Sequence, residues 1–87
     1  SMLIHIVYRE YGVFLSKKTY GSRRDIQDEF SDYKSSLGPW EAGEVVDYLE
    51  DNYSTLSPSA ATQIAVLLDS DSLLVQVKFS DASSGAT

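Results

Sequence analysis

His5 is the only histidine in a chain of 87 residues that has no cysteine. Nucleophilic catalysis needs a nucleophile, a base and a group that orients the base. A Ser-His-Asp set would have to run through His5, which sits inside the apolar run LIHIV. The strained GxSxG turn that presents many catalytic serines is absent. His5 therefore reads as an ordinary strand residue. Paired carboxylates could act as acid and base, but here they fall on helix faces predicted to be solvated, where nothing separates their pKa values. The segment DSDS (69–72) has the spacing that opens a calcium loop. Leu73 then occupies the third ligand position, and the loop glycine and terminal glutamate are missing, so it reads as a turn. Gly12 and Gly21 stand alone and form no phosphate cradle. The absence of cysteine removes thiol chemistry, disulfides, iron–sulfur clusters and the common zinc sites. No catalytic residue, metal or cofactor is implied.

What remains is charge. The formal net charge is −6, and it is unevenly spread. Residues 1–24 carry five basic residues against Glu10, a net of +4, while residues 25–87 carry Lys34 and Lys78 against twelve acids, a net of −10. In REYGVFLSKKTYGSRR (9–24), Lys17, Lys18, Arg23 and Arg24 could meet phosphates while Tyr11 or Tyr20 stacks on a base. The acidic balance of the whole molecule opposes a polyanion, so direct nucleic-acid binding ranks low.

The acidic counterpart is GPWEAGEVVDYLEDNY (38–53). On a helix, Glu44, Asp47 and Asp51 stand at i, i+3 and i+7 with Glu50 beside them. Like charges at that spacing repel by a few tenths of a kcal/mol per pair, and no lysine or arginine four residues on offsets them. Such a row runs against helix stability, which suggests a surface kept for another purpose. Asp28 and Asp32 on a preceding helix would extend it if the two helices lay side by side. Trp40, with Tyr33, Tyr48 and Tyr53, belongs to the residue types that dominate binding surfaces when exposed.

Elements must position these groups. Residues 2–8 (MLIHIVY) and 13–20 (VFLSKKTY) predict a hairpin turning at REY and Gly12. Ser22 is a good N-cap for a helix over roughly 23–36, with Ile26, Phe30, Tyr33 and Leu37 as its apolar stripe. Gly38 and Pro39 stop that helix, and Pro39 opens a second over 40–53 with Ala42, Val45, Val46, Leu49 and Tyr53 inward. Residues 57–68 (SPSAATQIAVLL) fit a helix capped by Ser57, or a strand on Ile64, Val66 and Leu68; the helix is preferred. LLVQVKF (73–79) alternates as a strand.

The expected fold is α+β: an antiparallel sheet of three or four strands, in the order β-β-α-α-(α or β)-β, with two or three helices on one face. One domain spans residues 1–80, followed by a polar, frayed tail at 81–87. Ser1 ahead of Met2 reads as an addition, and no signal peptide or membrane span is visible. A cysteine-free domain this small points to a reducing compartment, the cytoplasm.

In size and charge the chain is similar to nuclease inhibitors, bacteriocin immunity proteins and phage anti-restriction proteins, and no motif carries a residue role across. The leading expectation is a non-catalytic inhibitor of a basic, nucleic-acid-handling partner, bound through Asp28, Asp32, Trp40, Glu44, Asp47, Glu50 and Asp51. The alternatives are an assembly module or homodimer using a sheet edge or the Trp40 region, and a nucleic-acid binder using residues 9–24.

Overall fold

The computed structural model describes residues 2–80; the expected tail lies outside them. The apolar run at the N-terminus forms β1 (Leu3–Arg9), which turns through Glu10 and Tyr11 into β2 (Gly12–Ser16). Helix α1 (Arg23–Glu29) follows, then β3 (Tyr33–Glu41), α2 (Ala42–Asn52), α3 (Ala60–Asp69) and β4 (Leu74–Gln76). All pairings are antiparallel, in the spatial order β3-β1-β2-β4. The α+β class is as the sequence predicts.

Alternation along β1 sorts the core onto two faces. Ile4 and Ile6 point to a cluster with Leu15, Val45, Leu49, Ile64, Leu67 and Val77, covered by α2 and α3. Val7 points the other way, to Ile26 and Phe30 of the α1 segment. Helices therefore cover both faces, contrary to the one-sided arrangement expected from sequence. The reason is that β1 is apolar on both faces, so Val7 needs cover of its own; Ile26 of α1 and Phe30 just beyond it supply that cover at one end of the face.

The largest correction concerns residues 30–41. The predicted helix over 23–36 ends at Glu29, and Phe30 is already extended. Tyr33 and Leu37, which share a helical stripe on paper, instead lie on β3. β3 pairs with β1 from Leu3↔Glu41 to Arg9↔Tyr33, with register shifts at Ile4/Ile6 and Tyr8/Arg9. Each shift changes which face the next β3 residue meets, so Leu37 and Trp40 join the α2–α3 core while Tyr33 joins the α1 core. Gly38 and Pro39 are not a helix stop. They form the bulge opposite Ile4–Ile6, on an edge strand where a missing N–H is tolerated. Gly38 has φ +108°, and a Cβ there would lie 2.8 Å from the Ile4 carbonyl oxygen.

Helix α2 starts at Ala42, two residues later than expected, because Pro39 still belongs to β3 and Glu41 is the cap. Its side chain accepts the Glu44 N–H while Glu44 Oε1 accepts the Glu41 N–H at 3.0 Å, a reciprocal capping box. The segment 57–68 is helical as preferred, with the cap at Ser59 rather than Ser57. Ser59 Oγ accepts the Thr62 N–H at 3.2 Å. Gln63, buried on the inner side of α3, ties the helix to the chain's last described segment. Its amide donates to the Pro58 and Lys78 carbonyls at 2.8 and 2.9 Å and accepts the Lys78 N–H at 2.8 Å. The strand expected over 73–79 is ordered as a ladder only over β4, with Phe79 bridged separately to Leu56.

The C-terminus of α3 has no basic residue in its own last turn. Lys17, just past β2, fills that role. Its ammonium donates to the carbonyls of Leu67 at 2.7 Å and Ser70 at 2.5 Å, with Leu68 at 3.5 Å. A cation at a helix C-terminus with hydrogen bonds to its orphan carbonyls stabilises by about 1–2 kcal/mol. Lys17→Ala is therefore expected to lower the free energy of urea unfolding by about that amount, while Lys78→Ala, whose ammonium makes no such contacts, leaves it within about 0.5 kcal/mol.

Candidate functional site

The acidic row falls on α2 as its spacing requires. Val45 and Leu49 are fully buried, and Glu44, Asp47, Glu50 and Asp51 are exposed. Glu44 is half committed to the capping box. Asp47, Glu50 and Asp51 make no hydrogen bond or ion pair among the described residues. Trp40 sits half-buried at the head of this helix. Its ring meets Tyr48 edge-on at 5.4 Å, and the Tyr48 hydroxyl shares a 2.8 Å hydrogen bond with that of Tyr8. Trp40, Tyr48 and Tyr53 thus pack against the core and expose only part of their rings, while Tyr33 lies on the opposite face.

Asp28 and Asp32 do not extend the row. They lie with α1 on the other side of the sheet, and each is paired. Asp28 meets Arg24 at 3.3 Å, and Asp32 accepts from Arg9 Nε at 2.8 Å. The Arg9 hydrogen bond holds the Asp32 carboxyl below its ordinary value. The Arg9 guanidinium is itself flanked by Phe14 and Phe30, at 4.7 and 4.6 Å from the ring centres.

The same pairing consumes the basic segment. Lys17 is held by α3, Lys18 meets Glu29 at 3.0 Å and Arg24 meets Asp28. Arg23 alone of the four sequence-predicted nucleic-acid contacts has no partner among the described residues. Apart from Lys17, which reaches the C-terminus of α3, the two charged regions are separated by the sheet. The α1 side is close to neutral through ion pairing. Between Lys34 and Lys78 the chain has no lysine or arginine, and seven carboxylates fall between residues 41 and 71.

His5 is the residue that sequence reasoning passed over. It is 8% exposed, on the α1 face of β1, with its ring edge-on to Tyr20 at 5.0 Å. Burial holds its imidazole below the ordinary 6.5. The unfolded chain therefore takes up a proton near that pH that the folded state resists. Stability is full above about pH 6.5 and declines as pH falls through that value. Urea midpoints at pH 7.5 and 5.0 are expected to differ for the parent and to converge in His5→Gln. A second decline, from Asp32, follows as pH falls below its ordinary 3.8.

Among the described residues no cluster of three or more His, Asp or Glu is placed to hold a metal ion, and no helix is long and apolar enough to cross a membrane. No protein-family model, curated protein or solved structure matches the chain.

Proposed function

We propose that this protein is a non-catalytic binding protein, an intracellular inhibitor that docks its α2–α3 layer on a basic, nucleic-acid-handling partner. The observation that carries the reading is the segregation of charge. Seven carboxylates lie between residues 41 and 71 with no basic residue in that stretch of sequence, and among the described residues only Lys17 and Lys78 approach the layer, both against α3 rather than α2, whereas the carboxylates Glu29, Asp28 and Asp32 on the α1 side are paired. Along α2 the acids follow one another at i, i+3 and i+4, about 4.5–6 Å apart in axial rise. A rigid row of that spacing suits a basic groove made for a phosphate chain, and such complementarity gives fast, salt-dependent association.

The test is capture from host lysate with the purified protein as bait, with and without nuclease, at low salt and at roughly 0.5 M, where exposed charges are screened. One basic protein retained after nuclease and released by salt supports the reading. Capture that disappears with nuclease overturns it in favour of nucleic-acid binding.

The assembly alternative has β3 as its natural surface, since its outer edge pairs with no other strand of the described residues. That edge carries Lys34, Pro39 and a bulge, features that discourage strand addition. The acidic layer has no such deterrent and is preferred.

A further inference from the structure

Because α1 caps only one end of its sheet face, the other end is concave. A concavity of about 670 Å³ is lined by Leu3, His5, Tyr20 and Pro39, with Lys17 and Lys18, both engaged elsewhere, also on its wall. A smaller one of about 210 Å³ shares His5, Tyr20 and Pro39 with it and runs on to Gly21, Ser22, Arg23 and Ser36. The larger volume falls in the range typical of small-molecule sites.

Two features mark this as a binding site rather than a surface irregularity. First, His5 is more than nine-tenths buried, yet makes no hydrogen bond among the described residues. No fully enclosed polar side-chain atom of the described residues lacks a partner. Neither His5 ring nitrogen is therefore fully enclosed, and the residue lines both cavities. A neutral imidazole there has one donor and one acceptor to offer. Second, Arg23 is unpaired while Lys17, Lys18 and Arg24 are all engaged.

We propose that this double concavity binds a small planar-ring compound bearing one acidic group. The ring lies against Leu3, Tyr20 and Pro39 in the larger part, and the acidic group meets Arg23 and Ser22 in the smaller, with His5 hydrogen-bonding between them. A single free cation suits one acidic group and not a polyanion. The Asp25 carboxylate, which accepts the Gly21 N–H at 3.1 Å, reinforces that limit by standing beside the acidic end. The site is on the opposite side of the sheet from α2 and does not depend on the partner-binding reading.

The experiment is a titration of the ¹⁵N-labelled protein, followed by amide shifts, with three probes: adenosine 5′-monophosphate, indole-3-acetate and neutral adenosine. At least one of the two acids is expected to shift the amides of His5, Tyr20, Gly21 and Arg23 and to leave those of α2 unmoved. The acid that binds tells a phosphate site from a carboxylate site. Arg23→Ala is expected to weaken it tenfold or more, Arg24→Ala by less than twofold, and Asp25→Asn to tighten it. Arg23, Arg24 and Asp25 are exposed, so these variants keep the fold, which their amide spectra verify. The proposal is overturned if neither acid shifts those amides at roughly 5 mM, the weak end of specific affinity. It is equally overturned if adenosine shifts them as strongly as its monophosphate while indole-3-acetate shifts none, or if Arg23→Ala binds as the parent does.

Discussion

Replacing Asp47, Glu50 and Asp51 together by lysine is expected to abolish partner binding while leaving the fold intact. The three side chains are exposed on α2 and hold nothing in place, so no internal contact is lost. Glu44 is left alone because its carboxylate caps the helix. Like charges still face each other at i, i+3 and i+4 after the exchange, so repulsion along the row is about unchanged. Lysines near the C-terminal end of α2 also suit the helix dipole better than acids do. The formal net charge moves from −6 to zero, which removes the long-range attraction to a basic partner and sets three cations against it. Close charge pairs across an interface couple by about 1.5–7 kcal/mol, so losing even two of them weakens binding by at least about a hundredfold. The measurement is a dissociation constant at low salt beside a urea curve of the free variant. Unchanged affinity with an unchanged fold would end the acidic-surface reading.

The largest expected effect on stability is at Leu49. Its side chain is fully buried where α2 meets the sheet, with Ile4, Ile6, Leu15 and Leu67 in the same cluster. Leu49→Ala removes apolar contact from a core that is thin in a chain this short. Deletions of this kind cost about 2–5 kcal/mol, depending on how far the surroundings collapse. Total stability for a domain this size is commonly about 5–10 kcal/mol, so the variant is expected to lose about a fifth of it or more. Thermal unfolding followed by circular dichroism should show a midpoint drop of more than about 10 °C. A drop of only a degree or two would mean that α2 is not seated where it appears.

How much of this was legible beforehand depended on whether local chemistry or tertiary pairing decided each element. The hairpin, α2 and α3 were visible because Ile4 and Ile6 alternate, and because Val45 and Leu49 recur at helical spacing. The segment 33–41 was not. Tyr33 and Leu37 continue the stripe of Ile26 and Phe30 at i+7 and i+11, and Gly38–Pro39 looks like a stop. Only the demand of β1 for a second neighbour makes that stretch a strand, and two register shifts let its apolar residues serve both faces. That demand is non-local and leaves no mark in a single periodicity. The site residues divided the same way. The α2 row could be placed from spacing, whereas the pairing of Asp32 with Arg9, 23 residues away, could not. His5 looked inert because a lone histidine in a strand carries no pattern. Its importance comes from α1 stopping short of it.

The pairing of β4 with β2, together with the hold of Lys17 on the C-terminal carbonyls of α3, ties the β1–β2 hairpin to residues 67–76. The hairpin of β1 and β2 is complete after 16 residues, but one of its edges stays open until residues 74–76 arrive. Closing so long a loop precedes the contacts that reward it, which slows folding. During synthesis the hairpin is therefore made well before β4 and waits for it with the β2 edge uncovered. The sheet is thus sealed in the order in which its strands are made, with β4, the shortest of them, closing it last.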